Sequence, residues 1–307
     1  HGSKTPPLAA RIYRRTVWHD RRVGLDCTPA KAKRVLMRAL LLAVFSLFMT
    51  APAMSAPEPP SITEIRTALH RFNADAAFPL PILTDENLAN LRKGELVRII
   101  DHPDQNPNAP KRATGLLLIP KNRDLLWLAC QDADYALTTG VIEREIGGTY
   151  EKGILWYGYL KLPTPFKARQ WVVSVHDNLR LAESSSGEAW EHYWRNIENP
   201  ASAARPFVVK GEMKGLSITD FEAGIWTPDN SGAWVAIKFG EDQTLFGYHA
   251  QTTLGGNIPS SLILAWAKAG LDDVLQGVID RTAGVPGHYT GDHPPRVGGD
   301  GREIPRW

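Results

Sequence analysis

Four side chains in the middle and C-terminal half have the chemistry to handle a ligand: Asp132, Arg144, His176 and His249. Arg144 stands between Ile142 and Ile146, so a strand over 141–147 sets a guanidinium on an apolar face. A charge there is costly unless paired, which makes Arg144 a candidate for meeting a polar head group. A sheet-edge arginine, or one paired with Glu143 or Glu145, gives the same pattern. His176 and His249 fall in strands whose faces the sequence leaves open, so each is either a ligand contact or a structural histidine. Acid–base catalysis would need at least two such groups facing one another inside a cavity. His288-Tyr289-Thr290-Gly291-Asp292-His293 has the donors of a two-histidine, one-carboxylate iron site. It lies in a Gly/Pro-rich tail without a rigid element to fix those donors, and no metal is expected. The chain has no G-x-S-x-G, C-x-x-C, P-loop or G-x-G-x-x-G motif, and no catalytic residue or cofactor is assigned.

Charge separates the chain into two segments. Residues 1–38 hold ten Lys/Arg and two Asp/Glu, whereas the remainder holds 25 and 31. Lys31, Lys33, Arg34 and Arg38 precede an uncharged run over 39–49 and the small residues Ala51-Pro52-Ala53. That is the pattern of a secretory signal peptide over 37–56, cut after Ala53. The run is short for a membrane span, which needs about 20 apolar residues. Residues 1–36 are set aside as an upstream extension, with the natural start near Met37; a basic arm binding nucleic acid is the other reading of that stretch. Export to the periplasm or the medium is expected, with no nucleic-acid partner. Cys27 would be lost with the leader, so the mature chain would keep one thiol, Cys130, and rely on its core alone.

The elements that must position these residues follow from period and punctuation. Residues 57–84 read as a linker and an N-terminal helix, opened by the Ser61/Glu64 capping box. Strands are expected at 90–101 and 114–119, with a short helix from Pro120 to Cys130. Further strands are expected at 141–147, 151–161, 169–182, 205–217, 219–227, 232–240 and 244–254. Residues 187–198 read as a helix or an elaborated loop, and the tail over 283–307 as flexible. Alternation in 171–177 and 233–239 is the mark of an antiparallel sheet with a buried face.

The last long element runs from Pro259 to about residue 282. Lys268, Asp272, Gln276 and Asp280 give it a polar face, with Lys268 and Asp272 set to pair at i,i+4. Leu264, Ala267, Leu271, Val274 or Leu275, and Val278 make the opposite stripe, widened by Ile263 and Trp266. Gly270 and Gly277 each cost about 1 kcal/mol within a helix. Their spacing suggests that one side of the helix comes close to backbone or to a ligand. Simple packing on a sheet explains the stripe equally well.

Three stretches resemble the StAR-related lipid-transfer (START) domain of the Bet v 1-like helix-grip superfamily. They are Ile119-Pro120 followed by Trp127 and Asp132; Leu155 to Pro163 and Pro165, leading into Arg169-Gln170-Trp171-Val172; and Gly255-Gly256-Asn257-Ile258-Pro259 before the long helix. Gln170 stands where the family usually has Asp. The resemblance covers residues 85–282. It implies an α+β fold, a curved antiparallel sheet wrapped around the C-terminal helix with an internal apolar cavity. It also implies binding and transfer of a hydrophobic ligand such as a phospholipid or sterol, by a monomer that touches membranes transiently. Arg144, Trp156, Trp171, His176, Tyr248, Ile263, Trp266 and Gly270 are the ligand-contact candidates on that reading. The alternative the superfamily offers is a cyclase- or hydrolase-like enzyme acting on a small hydrophobic substrate in the same cavity.

Overall fold

A computed structural model describes residues 58–103, 110–131, 141–258, 260–291 and 293–306; the side chains of 260–262 and 264–269 lie outside the description. The extension, the signal segment and Asp132 therefore lie outside it too.

Two reciprocal capping boxes begin the described chain. The Ser61 hydroxyl accepts from the Glu64 amide and the Glu64 carboxylate from the Ser61 amide, starting α1 (Ile62–Asp75). Thr84 and Asn87 do the same for α2 (Asp85–Arg92). The strand expected from residue 90 is thus shorter: β1 is Val97–Asp101. An asparagine completes the second box, and Leu88 and Leu91, three apart, both become buried on one side of a helix.

β2 (Arg112–Ile119) leads into α3 (Arg123–Gln131); β3 (Val141–Thr149), β4 (Gly153–Leu160) and β5 (Arg169–Asp177) follow. The strand expected to reach residue 182 stops at Asp177, because the Asn178 side chain caps a short helix, α4 (Leu179–Ser184). Residues 187–198 form neither helix nor loop but β6 (Ala189–Asn196) in the middle of the sheet. The strand expected at 205–217 is α5 (Pro200–Val209) and a turn; the one at 219–227 is α6 (Ile218–Ala223) and the two-residue β7 (Ile225–Trp226). Pro200 in the first turn and a Ser217–Asp220 box favour helix there. β8 (Asp229–Phe239), β9 (Gln243–Thr253) and the long α7 (Ser260–Arg281) complete the order. The segment over 283–307, expected to be flexible, carries regular structure among its described residues. It forms a 3-10 turn, α8 (Val285–His288) and a bridge between Val297 and Glu303. Val285, Tyr289 and Ile304 of this segment are buried in the core.

The nine strands form one curved, open sheet in the order β1-β2-β9-β8-β6-β5-β4-β3, antiparallel throughout except that β7 lies parallel to β5. Directly paired residues share a face. Glu145, Trp156 and Val173 are therefore on the inner face, joined across β6, β8 and β9 by Trp194, Gly232 and Trp234 with Tyr248. Arg144, Tyr157 and Val172 are on the outer face, with Val235 and Leu116 farther along. Helices α1, α2 and α4 fill one end of the outer face, packing Ile65, Phe72, Leu91 and Leu181 against Val235, Leu116 and Leu245. Helices α5 and α6 fill the other end around Tyr157 and Val172. The inner face receives α3, α7, α8 and the tail, with Trp127, Trp190, Phe246 and Leu275 in the contact.

Candidate functional site: a two-chambered cavity under the last long helix

Among the described residues the inner face is not filled along its length. Beyond the packed region a cavity of about 310 Å³ lies between the sheet and α7, walled by Trp156, Trp171, Trp194, Trp234 and Tyr248, with Val173 and Val175 between them. Glycines let the large rings lie flat on the strands. A Cβ at Gly158 would come within 2.2 Å of the Trp171 ring, and one at Gly232 within 2.5 Å of the Trp194 ring. The Trp194 and Tyr248 rings then stack at 5.6 Å and Trp234 tilts against Tyr248 at 4.7 Å.

Helix α7 serves this site with two stripes. Leu271, Leu275 and Val278 are buried. They bring the helix down beside Gly115, where a Cβ would stand 2.9 Å from Leu275 Cδ1. The close approach expected at the helix glycines is thus made by a glycine of β2. Val274 and Arg281 line the cavity. Gly270 and Gly277 fall on that same helical stripe, and a Cβ at either meets nothing within 4 Å among the described residues. The two glycines leave room instead of admitting a neighbour. On the polar face Asp272 takes both Nε and Nη2 of Arg98, each at 2.6 Å, while the side chain of Lys268, its expected partner, lies outside the described residues.

The turn into α7 is held from below. Gly255 and Gly256 both have φ near +65°, a conformation that favours glycine. The buried Arg169 spans them, donating to the carbonyls of Leu254 and Gly255 and, at 2.6 Å, of Lys167. Burial lowers its pKa. Gln170, also buried, donates to the carbonyls of Phe221 and Gly224 and accepts from the Tyr157 hydroxyl at 2.9 Å. The departure from the expected Asp is thereby satisfied in place.

A second chamber of about 210 Å³ shares Gln131, Trp156, Val175 and His192 with the first. Polar groups collect at this shared wall. His192 Nδ1 lies 2.6 Å from Asp177 Oδ1, with the Asp177 side chain 6% exposed. The Tyr150 hydroxyl bonds the same carboxylate, and its pKa is raised by burial and then by that charge. The Gln131 amide is 3.3 Å from His192 Nδ1, but the single proton there goes to the nearer carboxylate. Glu143 and Arg281 border the first chamber, Glu145 and Arg296 the second. The Cys130 thiol also lines the first chamber, and burial pushes its pKa far up, so it stays protonated.

The candidates read from sequence divide accordingly. Trp156, Trp171 and Tyr248 come together in the wall, and Gly270 falls one helical turn before the wall residue Val274. Ile263 is half-buried on α7, and the Trp266 side chain lies outside the described residues. His176 borders the second chamber, yet its ring stacks on Tyr193 at 5.3 Å and its Nε2 is 2.8 Å from Ser174 Oγ. Burial lowers its pKa. Arg144 is a correction: the apolar face it shares with Ile142 and Ile146 is the outer one. There it donates to the Glu212 carbonyl and, at 3.2 Å, to the Glu212 carboxylate. His249 is on the outer face as well, edge-on to Phe78 at 6.1 Å. Burial, with Arg112 nearby, pulls its pKa down to about 3. The sequence reading missed Asp177, His192, Trp194 and Trp234. His192 and Trp194 are two apart and would have emerged had 189–196 been read as a strand. His288 and His293 do meet, with ring centroids 4.9 Å apart beside Tyr289, while Asp292 lies outside the described residues.

No family model matches the chain, and no curated protein does. Solved structures do. Human STARD10 aligns over 76% of this chain and 84% of its own at TM-score 0.50 and 10% identity. A STAR-related lipid transfer protein from Xanthomonas axonopodis aligns over 61% and 90% at TM-score 0.40 and 14% identity. An aromatase/cyclase from Streptomyces aligns over 56% and 93% at TM-score 0.34 and 11% identity. The open antiparallel sheet, the long C-terminal helix laid across it and the STARD10 superposition agree: this chain has the START fold.

Proposed function

We propose that the protein binds a hydrophobic small molecule in the cavity beneath α7 and carries it between membranes. The observation that supports this most directly is the composition of the walls, with four tryptophans, two tyrosines and four valines around a space of about 310 Å³. Ligand sites are apolar clefts of about 300–1,000 Å³ with a few placed polar groups. An apolar face of this size, left unfilled, loses the contacts that close packing would supply, and a ligand restores them. Lipid transfer proteins share the fold, and the proposal extends their role to this chain. The signal-peptide pattern over 37–56 supports a role outside the cytoplasm, and in this proposal the protein works there as a monomer in transient contact with a membrane.

The test is to purify the protein natively, denature it and analyse the organic extract by mass spectrometry. About one molecule of one hydrophobic class per chain is expected. A protein that is empty, and still empty after incubation with mixed lipids and sterols, would overturn the reading. An enzyme in the same cavity is favoured by one observation, the contact between Asp177 and His192 at the wall. It predicts that the extracted ligand changes mass on prolonged incubation with the protein, whereas a carrier returns it unaltered.

A further inference from the structure

We propose that the Asp177–His192 pair is a hydroxyl-recognition subsite, and that the cavity's ligand is a neutral, single-chain or ring-system alcohol instead of a fatty acid or a two-chain phospholipid. This deepens the proposed function and rests on it.

Four observations carry the inference. First, His192 sits on the wall common to both chambers, so any ligand that extends from one to the other passes it. Second, its tautomer is set. Nδ1 stands 2.6 Å from the Asp177 carboxylate, which can only accept. In the neutral ring the proton is therefore on Nδ1, and Nε2 carries a lone pair. No hydrogen bond to Nε2 is present among the described residues, and the side chain keeps 20% of its surface open. The ring thus offers an acceptor to the space it lines, and an acceptor selects a donor such as a hydroxyl. Third, the ring is fixed in place. The Tyr150 hydroxyl holds the other side of the pair through Asp177, and Trp127 stands edge-on to His192 at 5.9 Å. Fourth, the formal charges favour a neutral ligand. The first chamber holds Glu143 and Arg281; the second holds Glu145, Asp177 and Arg296. Among the described residues the guanidiniums do not outnumber the carboxylates, so an anionic head group gains no net attraction from them. The volume points the same way, since chambers of about 310 and 210 Å³ together lie in the lower part of the range for ligand sites.

The test is a titration of the full chain followed by its own tryptophan emission, since four indoles form the wall. The probes are 1-dodecanol, dodecyl methyl ether and dodecanoate. The ether carries a methyl group where the alcohol carries its donor proton. We expect the alcohol to bind about tenfold more tightly than the ether, the worth of one hydrogen bond to a charge-oriented group, and dodecanoate no more tightly than the ether. His192→Phe should bring the alcohol down to the ether's affinity while the ether's own affinity stays. His192→Gln, which can donate to Asp177 and still present an acceptor, should keep the preference. Equal affinity for alcohol and ether in the wild type overturns the subsite, and so does a preference that survives in His192→Phe. Should His192→Phe fail to fold, the wild-type ratio still decides. A saturable response to all three probes with no preference sinks the subsite alone. No saturable response to any probe sinks the cavity reading and the subsite with it.

Discussion

The two faces of one sheet have been treated differently. Neighbouring residues show it: Tyr157 is fully buried and satisfies its hydroxyl on Gln170, while Trp156, one position earlier, forms part of a cavity wall. The outer face carries five helices and closes completely over Leu116, Val235 and Val172. Even its charges are used structurally. The buried Glu191 accepts from the amides of Ala77 and Phe78 and from the Asn178 side chain, tying the chain after α1 to the sheet. The inner face carries larger side chains yet remains partly open. Aromatic bulk thus does not indicate packing by itself; what decides is whether a helix above supplies partners or, as with Gly270 and Gly277 of α7, withholds them.

The contrast can be broken or sharpened in four ways. The largest effect is expected from Phe72→Ala, which hollows the filled side. It should cost about 3–5 kcal/mol in urea denaturation and leave the affinity of the folded protein for 1-dodecanol unchanged; a matching loss of affinity would mean that the faces are not independent. Next is acidity, acting through His249. Its folded pKa of about 3 is below the ordinary 6.5, so the unfolded chain takes up the proton first and stability drains away as pH falls from 6.5 toward 3. Between pH 7.5 and 5 this amounts to about 2 kcal/mol, and His249→Phe should remove that part of the slope. Unchanged slopes in wild type and variant would place the histidine in contact with water. Third, Gly270→Phe should fill the space under α7 and weaken 1-dodecanol binding by about tenfold or more, with a melting temperature close to wild type. Undiminished binding would move the ligand away from this stripe. The smallest effect belongs to Arg144→Ala. The ion pair with Glu212 is half-exposed, so its loss should cost under about 1 kcal/mol, and ligand affinity should not change.

Much of this arrangement was legible in the residues. The long helix, the antiparallel sheet and three of the wall aromatics follow from period and from the resemblance. The face of Arg144 did not, because alternation gives phase but not which side meets which helix. Residues 187–198 were misread for a related reason. Trp190, His192 and Trp194 alternate as a strand should, but Glu191 between them looks like a solvent-facing charge. Its partners, the amides of Ala77 and Phe78, come from a distant part of the chain and are invisible locally. With that strand unread, the Asp177–His192 contact could not be seen, since it exists only through the β5–β6 register. The helices over 200–223 were lost to a count of apolar residues that fits either period.

One feature of the sheet bears on how the protein is made. β2 emerges early, but its inner neighbour in the sheet is β9, the last strand. Until β9 has been synthesised, β1 and β2 form a hairpin with a bare edge. Such distant pairing slows folding, and an exposed edge invites association with other chains. Because Tyr248 lies on β9 and Val274 on the helix that follows, a ligand cannot template the early steps. It can act only as a late selector among nearly finished molecules.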